Sequence, residues 1–277
     1  MKIKNTFVLR LTEQSRILEV LFDNLPNEIK NSKAYEEISE YVEKYVNFNA
    51  LTLTQVIDIY YDYIVIYNKH CKQFIKSGKY PIEIDPNKFE IERLNYDIIL
   101  LMSVLFTEHR FRIMQLLKNS KPLEKALFIG LGPGLELYLT KDNTKEVHAF
   151  DLSINDYLID TFPNCEFNKS YYSNQKTNYF DGIFIIELLE HLEDPYELIQ
   201  NCYNSLKVGG KLILTTATDI PQFDHLYNFP IDHFEFEKRI KNMGFTIELK
   251  EIIYHRYLTI EVKSSNHFYE LVKKNKK

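Results

Sequence analysis

Apolar residues follow two different rhythms along this chain, and the change between them divides it in two. Up to residue 121 they recur at helical spacing. Within residues 32–46, Tyr35, Ile38, Tyr41, Val42 and Tyr45 fall on one face, with acids and lysines opposite. Residues 51–75 carry Ile57, Tyr60, Tyr61, Ile64 and Ile66, which predicts a long helix or helix pair buried on more than one side. Pro81 and Pro86 interrupt the pattern. It resumes over residues 89–117 through Ile99, Leu100, Met102, Leu105, Phe106, Ile113 and Leu117. Gly78 is the single glycine before residue 122, so the first 121 residues read as an all-helical domain.

After Lys121-Pro122 short apolar runs alternate with helical segments. The runs at 126–130, 146–151, 165–168, 182–186 and 211–216 have strand length. Strands alternating with helices make a mostly parallel sheet covered on both faces. A helix over 232–243 should stop at Gly244, leaving 245–253 and 254–262 as an antiparallel pair. The expected fold class is therefore α/β: a doubly wound, mostly parallel seven-stranded sheet with an antiparallel C-terminal hairpin, preceded by an all-helical N-terminal domain. The expected boundaries are 1–121 helical, 122–265 α/β and 266–277 a basic tail ending in the run Lys273–Lys277, read as a solvated terminus.

Composition narrows the function. The chain has 277 residues, 45% of them hydrophobic and 26% charged, with a net charge of −5. An acidic balance gives no general attraction to nucleic acid. Cys71, Cys165 and Cys202 are scattered, so neither a disulfide framework, a cysteine zinc site nor any other metal site is expected, and a reducing compartment fits. Arg10, Glu13 and Arg16 interrupt the N-terminal apolar residues, unlike a secretion signal. The most apolar stretch, residues 98–106, is too short to span a bilayer. A cytoplasmic protein without membrane or nucleic-acid partners is expected.

The chemistry concentrates between residues 126 and 153. A strand-like run meets Gly130, Gly132 and Gly134, and a second run ends on Asp151. Glycines let the backbone turn sharply beside a ligand, and an acid at the next strand tip can accept both hydroxyls of a ribose. A dinucleotide site would need a third glycine at position 135, where Leu135 stands, and no phosphate-loop string occurs. The G-x-G-x-G turn and its acid resemble the S-adenosylmethionine (SAM) site of class I methyltransferases. The resemblance continues through FDGIFIIELLEHLEDP at 180–195 and LKVGG at 206–210, and spans roughly residues 122–263. It implies SAM as cofactor, held by Gly130, Gly132, Pro133, Gly134, Asp151, Leu152, Tyr171 and Glu187. Tyr171 and Tyr172 are equal candidates for stacking on adenine, and packing is as good a reading of both. Gly209 and Gly210 read as a turn into the next strand, and Asp181 as structural.

Methyl transfer needs alignment and, for some acceptors, removal of a proton. His191 and His225 are the candidate bases, because an imidazole titrates near neutrality. The segment 224–229, DHLYNF, resembles a D-H-x-Y-x-F segment of some small-molecule methyltransferases and adds Tyr227 as a substrate contact. Glu190 and His191 also read as a helix cap, and His225 as a loop brace bonded to Asp224. Arg110 or Arg112 could hold a substrate carboxylate; surface charge is the plainer reading of each. The expected function is methyl transfer from SAM to a small molecule, or to a small group carried by a peptide or carrier protein. The alternatives are an aminobutyl transfer like that of nicotianamine synthases and a non-catalytic binding protein of the same fold.

Overall fold

The structure is a computed structural model describing residues 6–81, 91–119, 123–173, 176–222, 224–256 and 263–275. Its first helices are α1 (Thr6–Gln14), α2 (Arg16–Asn24) and α3 (Asn27–Lys30). Ser32 starts α4 (Lys33–Phe48) by accepting from the Tyr35 amide, and the predicted stripe from Tyr35 to Tyr45 is buried. Thr52 and Gln55 form a capping box at the head of α5 (Leu53–Ser77), and Gly78, at φ 69°, closes it. This is one helix with one buried side; Tyr61, expected inside, is exposed. The proline-rich break falls largely on residues 82–90, outside the described residues. The next predicted stretch is two helices, α6 (Arg93–Phe106) and α7 (Glu108–Lys118), because Thr107 is extended between them.

Seven strands follow: β1 (Leu123–Ile129), β2 (Thr144–Asp151), β3 (Cys165–Lys169), β4 (Phe180–Ile185), β5 (Leu206–Thr218), β6 (Phe245–Tyr254) and β7 (Ser265–Lys273). Their order is β3-β2-β1-β4-β5-β7-β6. β7 runs antiparallel to both neighbours; the other pairs are parallel. The intervening helices are α8 (Leu135–Thr140), α9 (Asp156–Thr161), α10 (Pro195–Ser205) and α11 (Phe234–Met243). Alternation along the strands sends side chains to opposite faces. Ala126, Phe128, Phe184 and Ile213 join the core of the N-terminal helices, where Phe128 and Phe184 stack at 4.5 Å. Leu127, Ile129, Ile183 and Leu212 pack with α10 and α11. The N-terminal helices thus share one core with the sheet.

Two expectations fail at the C-terminus. The last strand is Ser265–Lys273, not 254–262, most of which lies outside the described residues. Residues 266–273 are accordingly not a tail; they lie inside the sheet, with Tyr269 and Leu271 fully buried. Even Lys273 is buried, donating to Asn178 Oδ1 at 2.8 Å and the Leu206 carbonyl at 2.7 Å. The trailing lysines obscured a strand whose apolar residues alternate poorly. Gly209 and Gly210 do not precede β5 as a turn. They lie within it at an irregularity opposite Phe180–Gly182, where a Cβ on Gly210 would stand 2.9–3.2 Å from three backbone oxygens. Among the described residues no helix is long and apolar enough to cross a membrane.

Candidate active site

The carboxyl ends of β1, β2, β3 and β4 open onto one cavity of about 910 Å³, the position that an open α/β sheet reserves for ligands. Gly130 and Gly134 have φ values of 72° and 76°. A Cβ at Gly130 would sit 2.8 Å from Leu188, and one at Gly134 2.5 Å from Leu158, so both need glycine for backbone and for space. Pro133 accepts a hydrogen bond from the Tyr41 hydroxyl at 2.6 Å, fixing the loop to α4. Gly130, Gly132, Pro133, Asp151, Leu152, Tyr171 and Glu187 all line the cavity; Gly134 does not, and instead faces Leu158 and Tyr41. Tyr171 and Leu152 are exposed at the cavity rim. Tyr172 lines the cavity as well, but is buried and donates to Ser205 at 2.5 Å.

Asp151 is held from several sides. Its Oδ2 accepts from the Gly132 amide at 3.0 Å, and its Oδ1 from the Ser153 amide at 3.0 Å. Arg93, on α6, donates to Oδ1 at 2.9 Å and to Oδ2 at 3.4 Å. The same guanidinium donates through Nε to Asp97 at 2.9 Å, and the buried Asp97 also accepts from Tyr45 at 2.6 Å. Sequence reasoning missed Arg93. Its one visible signal was the Arg93–Asp97 spacing of four on a helix.

A second cavity of about 540 Å³ lies between the sheet and the N-terminal helices. Tyr60, Tyr63, Tyr67 and Phe106 contribute to its lining. The two cavities share Tyr96, Leu100, Arg110, Glu187 and His191, so they meet at the end of β4. Glu187 has a φ of 52°, an unfavourable backbone for a side-chain-bearing residue. Its amide donates to Thr215 at 2.7 Å. Its carboxylate accepts from Arg110 at 2.6 Å and from Asn266 at 2.7 Å. Arg110 is therefore no surface charge, whereas Arg112 pairs with Glu28 and Glu108 on the outside.

His191 and His225 come together, their rings perpendicular and 4.9 Å apart. The loop bearing His225 is stitched to the 3-10 turn Leu189–His191: the Leu226 and Tyr227 amides donate to the Glu190 carbonyl at 2.8 and 3.0 Å. His191 Nδ1 lies 3.2 Å from the Asp224 carbonyl and 3.4 Å from its carboxylate. Asp224 thus braces His191, not His225. Burial would lower the pKa of His191, but Asp224 and Glu190 outweigh it and raise it. Burial, and then His191, hold His225 well below the usual histidine value. Burial, reinforced by Glu187, lifts Glu190 to about 7. Tyr227, expected at the substrate, lines neither cavity; it packs against Tyr196 and Phe229. Glu136 was also missed. It lines the first cavity from α8, and burial raises it to about 7.

Comparison with known proteins agrees with this architecture. Residues 127–214 match a family model described as a methyltransferase domain. A ubiquinone biosynthesis O-methyltransferase of Xanthomonas oryzae pv. oryzae is 43% identical over 47 residues, 17% of this chain and 20% of the relative. One of Coxiella burnetii is 51% identical over 37 residues, 13% of this chain and 16% of the relative. The chain thus spans about a fifth of the length of the curated relatives it matches. Among solved structures, Haemonchus contortus phospholethanolamine N-methyltransferase 2, in complex with phosphomonomethylethanolamine and S-adenosylhomocysteine, superposes with a TM-score of 0.52. That match has 16% identity and covers 65% of this chain and 58% of the other. The seven-stranded α/β region, its reversed strand and its glycine turn identify this chain as having the class I SAM-dependent methyltransferase fold.

Proposed function

We propose that this protein transfers the methyl group of SAM to a small molecule, or to a small group presented by a peptide or carrier protein. The observation that carries the proposal is Asp151. Its carboxylate sits at the tip of β2, 3.0 Å from the amide of Gly132, on a cavity of about 910 Å³. The residues fit the cofactor: Asp151 is an acceptor for two ribose hydroxyls, and Gly130 and Gly132 line the cavity without putting a side chain into it. When bound, SAM supplies a methyl group on a positively charged sulfur. The protein's part is to seat both reactants and exclude water.

The second cavity fits the acceptor. Its tyrosines and Phe106 favour an aromatic or apolar body. Arg110 faces it, but its charge is already matched by Glu187 at 2.6 Å, so we assign Arg110 to positioning Glu187. With Nδ1 directed to Asp224, His191 can take a proton at Nε2, and it is the stronger base of the histidine pair.

Calorimetric titration with SAM and with NAD tests the cofactor. Micromolar SAM binding that is lost in Asp151→Ala is expected, and binding of NAD alone overturns the proposal. Turnover should release S-adenosylhomocysteine; methylthioadenosine would instead mean aminobutyl transfer.

A further inference from the structure

Where the two cavities meet, one carboxylate and two imidazoles converge, and one carboxylate oxygen is left without a donor. Glu190, His191 and His225 each place a donor atom within 4.8 Å of the others. Glu190 is buried, and its Oε2 has no hydrogen-bond partner among the described residues. A buried carboxylate oxygen without a donor is costly, and a cation is the natural way to satisfy it. The two imidazoles beside it are good ligands when neutral.

We propose that Glu190, His191 and His225 form a site for a first-row divalent transition-metal ion at the junction of the two cavities. Three features of the surroundings support it. First, the ligands come from two segments locked together: residues 189–191 and the loop holding His225 share the hydrogen bonds from Leu226 and Tyr227 to Glu190. Second, His191 has an outer partner. Its Nδ1 faces the Asp224 carbonyl at 3.2 Å and carboxylate at 3.4 Å, which fixes the tautomer and leaves Nε2 free to ligate. Third, His191 lines both cavities while Glu190 and His225 line the second, so the cation's remaining coordination positions would open toward the acceptor.

The donor set selects the ion. One carboxylate and two imidazoles suit zinc, manganese, iron(II) or cobalt; calcium and magnesium prefer oxygen alone. Three donors at about 2.0–2.2 Å from such an ion stand about 3.3 Å apart, so the cluster would contract slightly on loading. Three protein ligands leave at least one position for an acceptor hydroxyl or a water, as catalytic sites do. The lone pair that His191 would offer a proton goes to the cation in the loaded protein.

The 277-residue protein, stripped with a chelator, is titrated with Co²⁺ and followed by visible absorption. One equivalent should give the intense bands of four- or five-coordinate Co²⁺, and Zn²⁺ should abolish them. Glu190→Gln and His225→Gln should each weaken Co²⁺ binding by more than the roughly 10–100-fold that loss of an outer-shell partner costs. Both should keep the far-UV spectrum and SAM affinity of the wild type. A wild-type spectrum no different from aqueous Co²⁺, or bands that survive both substitutions, overturns the site. The cation site and the cofactor reading fail separately, because one is read by Co²⁺ and the other by SAM.

Discussion

At the scale of the residue, the site is governed by who already holds each acid. Asp151 was legible from sequence because a strand-tip acid after a glycine turn has few other uses. Its occupant was not. Arg93 lies 58 residues upstream, yet donates twice to the carboxylate that a ribose would use. Its side chain is 33% exposed, and its Nε is also bonded to Asp97. Ribose hydroxyls must compete with it, and a charge-assisted hydrogen bond contributes about 1.5–3 kcal/mol. Arg93→Met, which keeps the apolar stem, is therefore expected to tighten SAM binding by about tenfold, a conservative share of that energy. It should also lower the melting temperature, because the buried Asp97 loses its cation. Calorimetry and thermal melting check both; unchanged affinity would mean that Arg93 does not compete. Arg110 follows the same logic. Its pairing with Glu187 joins α7 to the end of β4, a contact no local pattern could reveal.

At the scale of the element, periodicity reported faithfully what local sequence controls. The face of α4 and the strands from β1 to β4 lie close to where the pattern put them. The failures occur where tertiary context overrides a local signal. Thr107 splits a continuous apolar stretch into α6 and α7, and the glycine pair at 209–210 is absorbed into β5. The largest failure is β7, which ends in lysines and so resembles a tail. In the sheet it separates β5 from β6 and supplies both with hydrogen bonds. Removing residues 263–277 would expose one edge of β5, strand β6 and the core around Tyr269 and Leu271. Such a truncation should fail to fold rather than lose a dispensable end. Native-like circular dichroism and cooperative melting of the shortened chain would contradict this. A milder probe is Gly134→Ala, which adds a methyl 2.5 Å from Leu158 at a φ of 76°. It should cost about 1–3 kcal/mol of stability and weaken SAM binding, since the strain falls on the cofactor loop.

At the scale of the whole molecule, buried histidines set the response to acid. His109 and His225 are held well below the usual value, His233 and His255 are lowered to about 4 and His267 to about 3, all chiefly by burial. Each is neutral when folded and takes up a proton near pH 6.5 once unfolded. Unfolding therefore binds protons between pH 6.5 and about 4, and stability falls as the pH falls through that window. Glu136 and Glu190, both raised to about 7, act in the opposite sense. Folded, they hold a proton between pH 7 and 4.5 that the unfolded chain releases, so they gain stability as the pH falls. His70 is lowered too and joins these five histidines, while the raised His191 acts with the two glutamates, so six groups oppose three, at about 1.4 kcal/mol per pKa unit. The net effect should be a loss of several kcal/mol between pH 7 and 4.5. The histidines lie in both the helical layer and the sheet, and the N-terminal helices share a core with one sheet face, so the loss should appear as one cooperative transition. Chemical denaturation at pH 7.0, 6.0 and 5.0 measures it, with the fluorescence of the 20 tyrosines as the probe. A midpoint that stays constant, or rises, toward pH 5 would show that the carboxylates dominate and that the histidines are not buried as neutral groups.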